Sequence, residues 1–353
     1  MPRYKLTLAY EGTDFCGWQK QFPHADAVSE ALRMERHDES AFPPALRSSV
    51  NVPHNSRGLS TEPELPQDRP RVELRTVQSV LERATRQVVH QPVVIHGASR
   101  TDSGVHARGQ VAAFSTVVED DARGRGGWPL ERGATGLMRA INSRLPRDVL
   151  VMNAEVVADD FNPIGGALSK GYSYTIWSSR ERTLWERRTS LHIWHSLEVE
   201  RMKAAAAVLV GEHDFAAFAA AGHGRATTVR SIHDCQVELV PPVVSGSPSQ
   251  REGAGGRVLG RDGSVEWQPS SSAAAPMDTG SSAVRPQMIR INVSGSGFLW
   301  NMVRIIAGTL VEAGKSRIPP EQVRDALATG DRRKAGPTLP PQGLCLEWIR
   351  YDH

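Results

Sequence analysis

VVIHGASRTDSGVHARGQVAAFS, residues 93–115, sets an apolar run, a polar turn and a second apolar run in immediate succession. Val93 to Ala98 and Gln110 to Ser115 read as strands, the second on Val111, Ala113 and Phe114. Between them lies the densest polar cluster of the chain, Ser99-Arg100-Thr101-Asp102-Ser103-Gly104-Val105-His106-Ala107-Arg108. A loop between two strands presents its side chains from a rigid frame. Taken alone, Thr-Asp-Ser-Gly is equally an ordinary turn in which the Asp carboxylate bonds its own backbone, so Asp102 needs corroboration from elsewhere in the chain.

Moving outward, Thr76 precedes Val77, Val80, Leu81, Ala84 and Val88, a 3.6-residue stripe with a hydroxyl N-cap. Before it, Tyr4, Leu6, Leu8 and Tyr10 alternate with Lys5, Thr7 and Ala9 at the period of a half-buried strand. Downstream, the pattern predicts a helix over 135–143 and strands over 149–152 and 172–177. An Ala-rich helix over 199–210, stopped by Gly211, and a strand over 232–240 come next. Ile289, Ile291 and Val293 form a further strand. A helix over 299–313 then carries Met302, Val303, Ile306 and Leu310 on one side, with Gly314 as its cap. A helix starting at Pro319-Pro320-Glu321 and a strand over 344–351 complete the order. Two α+β halves on a mostly antiparallel sheet are the natural assembly.

The chain has 353 residues, enough for about two domains. Apolar residues make up 39% and charged residues 23%, and no apolar run approaches the length of a membrane span. The net charge of +3 permits a polyanionic partner without requiring one. Cys16, Cys235 and Cys345 form no CxxC pair, and the N-terminal residues run directly into a strand pattern. Free thiols in a reducing cytoplasm are therefore expected. Two stretches, 36–71 and 241–287, are rich in Ser, Pro and Gly or charge and lack apolar periodicity. They are expected to be insertions outside the working fold.

Two more clusters stand out. In Gly297-Phe298-Leu299-Trp300-Asn301-Met302-Val303-Arg304, Arg304 sits in the first turns of an apolar helix, where it either snorkels to solvent or pairs with a carboxylate. In Lys170-Gly171-Tyr172-Ser173-Tyr174, two tyrosines at period two form either a packed face or part of a site.

Together these segments resemble the tRNA pseudouridine synthase A (TruA) family. The motifs run in order: Tyr10-Glu11-Gly12-Thr13-Asp14-Phe15-Cys16-Gly17-Trp18-Gln19, Arg75-Thr76-Val77-Gln78, and Arg100-Thr101-Asp102-Ser103-Gly104-Val105-His106-Ala107. They continue with Lys170 to Tyr174, Gly211-Glu212-His213-Asp214-Phe215, Thr228-Val229-Arg230, Gly297 to Arg304 and Gly343-Leu344-Cys345-Leu346. The resemblance covers the chain apart from the two insertions.

It implies a pseudouridine synthase fold: two ferredoxin-like, RNA-recognition-like α/β halves joined in a mostly antiparallel mixed sheet with a central catalytic cleft. Residues 1–153 would carry the Arg-Thr-Asp motif, and residues 154–353 would carry Tyr172 and the Met-Val-Arg helix. The implied activity is isomerisation of uridine to pseudouridine in the anticodon stem-loop of tRNA, at positions 38, 39 and 40, by a homodimer with no cofactor, metal or membrane. Asp102 corresponds to the family's catalytic carboxylate, acting on the sugar, on the uracil ring, or by taking a ribose proton. Tyr172 corresponds to the tyrosine that packs on the target base and is a candidate for removing the C5 proton. Arg304 corresponds to the basic residue that pairs with the aspartate and aims it. Arg100 is the candidate for holding the place or phosphate of the flipped nucleotide, Thr101 beside it is a candidate substrate contact, and Lys170, Arg230 and Arg108 are candidate phosphate contacts.

The pattern departs after Phe161, where Asn162-Pro163-Ile164-Gly165 replaces the usual Ala-Arg and removes one cation from the RNA cleft. Three other functions compete. One is the same chemistry at another tRNA position or on another RNA. Another is a catalytically silent tRNA-binding chaperone, which has no chemical reason to keep Asp102, Tyr172 and Arg304. The last is metal-dependent hydrolysis through Asp14, His96, Asp102 and His106, for which no compact H-E-x-x-H pair exists.

Overall fold

The computed structural model describes residues 1–23, 71–117, 126–220, 222, 226–241, 256–259, 265–268 and 286–352. The expected insertion at 36–71 lies outside them except for Arg71. Strand β1 (Arg3–Tyr10) buries Tyr4, Leu6, Leu8 and Tyr10 on one face, as its alternation requires. Helix α1 (Val77–Val89) is closed at its start by a reciprocal capping box between Thr76 and Ser79. Next come β2 (His96–Gly97), β3 (His106–Ser115), α2 (Gly133–Asn142), β4 (Val149–Val157), β5 (Ala167–Ser178) and β6 (Leu191–Ile193). Then follow α3 (Val199–Ala207), β7 (Gly211–Asp214), β8 (Val229–Val240), β9 (Gly256–Leu259), β10 (Val265–Gln268) and β11 (Gln287–Gly295). Helices α4 (Met302–Gly314) and α5 (Pro320–Thr329) and strand β12 (Leu344–Tyr351) end the chain.

The main sheet has ten strands in the order β4-β1-β3-β12-β5-β11-β8-β7, with β2 added to β3 and β6 to β5. Pairing is antiparallel except between β3 and β12 and between β5 and β6. This is the α+β, mostly antiparallel mixed sheet that the element order implied. Helix α2 packs on β4, α3 on β8 and α4 on β5, in one continuous apolar core. No helix among the described residues is long and apolar enough to cross a membrane. Cys16, Cys235 and Cys345 are unpaired.

Where the C-terminal strand lies is decisive for the site. In register, Leu346 of β12 faces Ala107 of β3 on one side and Tyr172 of β5 on the other. The motif loop that leads into β3 is thereby held two inter-strand spacings, about 10 Å, from the Tyr172 backbone.

Several elements differ from the sequence reading. The strand expected over Val93–Ala98 shrinks to His96–Gly97 because helix side chains take the backbone groups before it. The Val93 carbonyl accepts from Arg86, the Ile95 carbonyl accepts from Gln78, and the Ile95 amide donates to buried Glu82. Helix α4 starts at Met302 rather than Leu299, because Asn301 adopts a left-handed backbone with φ 61°. Gly314 is the last residue of α4, and the cap is Lys315. Helix α3 ends at Ala207, short of the expected Val210, and Gly211 opens β7. Inside the stretch 241–287, expected to lack structure, β9 and β10 pair antiparallel from Val265↔Leu259 to Gln268↔Gly256. The abundance of Gly, Pro and Ser around these strands hides two four-residue runs.

Candidate active site

The loop carrying Asp102 is clamped through its backbone. Trp18 N–H donates to the Thr101 carbonyl at 3.0 Å, and Gly104 N–H and Ser103 Oγ both donate to the Phe15 carbonyl. Gln110 on β3 accepts from Ser99 N–H and donates to the Ser99 carbonyl. Tyr10 Oη and Thr101 Oγ1 share a hydrogen bond of 2.8 Å. Two glycines make this closeness possible. Gly104 has φ +79°, and Gly17, with φ +87°, has so little room that an added Cβ would meet the Thr101 carbonyl oxygen at 2.9 Å. Arg75, from the Arg-Thr-Val-Gln segment, lies over the Phe15 ring and pairs with Asp148, which props the same 15–18 segment from behind.

With its backbone so occupied, Asp102 directs its carboxylate away from the turn. Arg304 Nη1 donates to Oδ2 at 3.2 Å, and Trp300 Nε1 donates to Oδ1 at 3.2 Å. The alternative in which Asp102 bonds its own turn is therefore set aside. So is a snorkelling Arg304: its side chain is only 17% exposed, with Nε bonded to the Leu339 carbonyl at 2.6 Å and Nη1 to Asn301 Oδ1 at 2.8 Å. The pair joins residues 202 positions apart.

Tyr172 lines the same pocket, with Arg100, Thr101, Val105, Phe298 and Leu344 also on its wall. Its ring meets Phe298 edge-on at 5.1 Å, and its hydroxyl shares a 2.8 Å hydrogen bond with Ser99 Oγ. Burial pushes the phenol up to about 12, the neighbouring Asp102 pushes the same way, and the Ser99 hydrogen bond opposes both. At neutral pH Tyr172 thus carries its hydrogen. Tyr174, on the same sheet face, is wholly buried and donates to the Pro340 carbonyl, so of the two tyrosines it is the packing one.

The expected RNA contacts separate. Arg100 is exposed at the pocket wall, and among the described residues no hydrogen bond or ion pair occupies it. Lys170 Nζ donates to the Ala98 carbonyl at 2.8 Å, just before the motif loop. Arg230 donates to the Thr227 carbonyl beside the Gly297 turn. Arg108 is not brought to Asp102; it pairs with Glu347 and lines a different pocket with Arg147 and Arg290. After Phe161, Asn162 Oδ1 accepts from Ile164 and Gly165 N–H, a tight turn in place of the family's cation.

His106, one of the four groups of the metal-hydrolysis alternative, is used for structure. Its Nδ1 accepts from Gly12 N–H at 3.0 Å and its Nε2 faces the Gln342 carbonyl at 3.1 Å, which calls for the neutral Nε2–H tautomer. Burial lowers its affinity for a proton, outweighing the Gln342 carbonyl that favours it. Because the folded value lies below the unfolded one, this stability is fully present above about pH 6.5 and is lost as pH falls from there through the folded value. Thermal melting should therefore drop between pH 7 and 5, and His106→Gln, which can both accept from Gly12 and donate to Gln342, should make that drop shallower. An equal pH dependence in the variant would exclude His106 as a source of it.

Sequence reasoning gave no role to Ser99, Trp300, Asn301 or the Leu339 carbonyl. Only Trp300 left a signal: it is an aromatic residue in the first turn of the expected helix that falls outside the apolar phase of Met302, Val303, Ile306 and Leu310.

A family model described as tRNA pseudouridine synthase matches residues 205–352, the segment containing Arg230, Trp300 and Arg304. The chain is 31% identical to tRNA pseudouridine synthase A 2 of Clostridium perfringens over 351 residues, 99% of this chain and 100% of that protein. It is 37% identical to tRNA pseudouridine synthase A of Geotalea uraniireducens over 276 residues, 78% of this chain and 90% of the other. A third relative, tRNA pseudouridine synthase A of Geobacter sulfurreducens, is 31% identical over 351 residues, 99% of this chain and 100% of that protein.

Proposed function

The chain belongs to the tRNA pseudouridine synthase A family, and from that premise we propose that it isomerises uridines 38, 39 and 40 in the anticodon stem-loop of tRNA, with Asp102 as the catalytic carboxylate. As a family member it is an isomerase acting as a tRNA pseudouridine synthase. The observation that carries the finer reading is the Asp102–Arg304 pair in a pocket walled by Tyr172 and Arg100. It unites a carboxylate, a fixed cation, an aromatic platform and a cation open to RNA, the minimum for a reaction without net redox or hydrolysis.

The reaction breaks the N1–C1′ bond, turns the uracil and forms a C5–C1′ bond. The hydrogen on C5 is then lost and N1 gains one. Asp102 opens each of three routes, by attacking C1′, by attacking C6, or by taking a ribose proton to give a glycal. The frame around it restricts the carboxylate to one orientation, which lowers the entropic part of the barrier. Since a stacked uridine hides its glycosidic bond, the nucleotide must flip into the pocket at a cost of a few kcal/mol. Arg100 on the pocket wall is placed to hold its phosphate or its vacated position, and Lys170 and Arg230 add sequence-independent, salt-sensitive affinity. Tyr172 enters this scheme as a neutral phenol. To take the C5 proton it must first release its own to solvent, and the Ser99 Oγ hydrogen bond, which favours the phenolate, lowers the cost of that release.

In this reading residues 1–153 supply the aspartate loop, residues 154–353 supply Tyr172 and Arg304, and β12 joins them. A homodimer on one tRNA, in the cytoplasm, completes it. Edge strand β4, with Leu150 and Met152 each 52% exposed, and the three unpaired cysteines agree with that setting.

Tyr172→Phe keeps the ring on Phe298 and removes only the hydroxyl. The single-turnover rate should fall about 10²-fold with the RNA Kd within about twofold. An unchanged rate would reduce Tyr172 to packing.

The function itself is tested by mapping pseudouridine on unmodified tRNA incubated with purified protein, without cofactor and with chelator. Conversion at 38, 39 and 40 is expected. Conversion elsewhere would reassign the position, and binding without conversion on any tRNA would favour the chaperone.

A further inference from the structure

Both oxygens of the Asp102 carboxylate hold a hydrogen-bond donor, which occupies part of the acceptor capacity that every route above draws on. The two donors are anchored very differently. Arg304 bonds the Leu339 carbonyl and Asn301 Oδ1 as well as Asp102, and it is largely buried. Trp300 is 52% exposed, and among the described residues its only side-chain hydrogen bond is the one to Asp102 Oδ1. Its backbone, by contrast, is held: the Trp300 carbonyl accepts from Ala220 N–H at 3.1 Å, and the next residue, Asn301, is fixed in the left-handed region. A firm backbone beneath a half-exposed side chain allows rotation about the side-chain bonds without disturbing Arg304. Of the two donors, Trp300 is the one that can leave.

Its surroundings indicate where the ring goes. Trp300 belongs to the wall of the Asp102 pocket, which Arg100, Tyr172 and Phe298 also line, and it is half-exposed there. A flat, half-exposed aromatic ring on the wall of a pocket that receives an unstacked nucleotide is a surface on which an RNA base stacks, whatever that base is. Resting on proven family membership and on the function proposed above, we propose that Trp300 is a two-position residue. Without RNA it is parked on Asp102 Oδ1. When the target uridine enters it swings off the carboxylate and stacks on a base of the bound RNA. It is a positioning residue: it uncovers the carboxylate and helps hold the RNA, and it takes no part in bond making.

Two substitutions separate its ring from its N–H. Trp300→Phe keeps an aromatic face and removes the donor, while Trp300→Ala removes both. With unmodified tRNA as probe, Trp300→Phe should keep its Kd within about twofold of wild type and a saturated single-turnover rate at or above wild type. Trp300→Ala should weaken Kd about tenfold, the size of a lost base-stacking contact, while its rate at saturating enzyme stays near wild type. In stopped flow, the indole fluorescence present in wild type and missing in Trp300→Phe should change on RNA binding, no later than conversion. Melting temperatures of the three proteins should coincide, since Trp300 is outside the core. The proposal is overturned if Trp300→Ala binds as wild type, if Trp300→Phe is impaired as much as Trp300→Ala, or if that fluorescence component is indifferent to RNA. Conversion by the wild-type protein reports on the function itself, whereas the variants are scored only relative to wild type, so the two failures are distinct.

Discussion

Asp102→Asn should lower single-turnover pseudouridine formation by at least about 10³-fold, equivalent to about 4 kcal/mol of transition-state stabilisation. The substitution hardly changes volume and removes the charge. An amide cannot serve two donors as the carboxylate does: whichever way it is turned, its NH2 group faces either Arg304 Nη1 or Trp300 Nε1, donor against donor. Asp102, its side chain a third exposed, lies in a loop held by backbone bonds to Phe15 and Trp18, so the fold and the RNA Kd should remain close to wild type. Mapping on unmodified tRNA, with a parallel binding assay, measures both quantities. Turnover at the wild-type rate would remove Asp102 from the chemistry.

Arg304→Met should lower the rate about 10²-fold or more and also lower stability. It strips a partly buried carboxylate of its cation and leaves the Leu339 carbonyl without its donor, an omission worth about 1–3 kcal/mol. Arg304→Lys separates charge from shape. One ammonium can reach Asp102, but it cannot also span the Leu339 carbonyl and Asn301 Oδ1 as the guanidinium does. The lysine variant should therefore recover part of the melting temperature and less of the rate. If lysine restored the rate in full, charge alone would suffice and the aiming role would be refuted. If methionine left the rate unchanged, Arg304 would have no part in the site.

Local regularity made most of the framework legible. The alternation of Tyr4, Leu6, Leu8 and Tyr10, the Thr76 cap and the proline start of α5 each depend on neighbours a few residues away, and each appears in the structure. Failures occurred where a distant group took over a local one. Val93 and Ile95 have strand-like side chains, but Arg86, Gln78 and Glu82 capture their backbone groups. At the start of α4 an apolar phase pointed to Leu299, and the left-handed Asn301 delayed the helix to Met302.

The site divides in the same manner. Asp102, Tyr172 and Arg304 were legible as motif residues, because residue type and order survive in a linear chain. Their chemistry was not. Read singly, each had an ordinary structural explanation, and Tyr174, one strand position pair from Tyr172, shows that the same residue type on the same face can be only packing. The periods of the sequence alone indicated alternating strands and helices on a mostly antiparallel sheet, since period acts over short separations, and the expected site residues came from the family resemblance, not from period or composition. Folding was needed to put β12 between β3 and β5, to join Asp102 to Arg304 across 202 residues, and to lay Trp300 on the carboxylate. These are contacts through space, set by strand order and by the competition of buried donors for acceptors, and no local pattern records them.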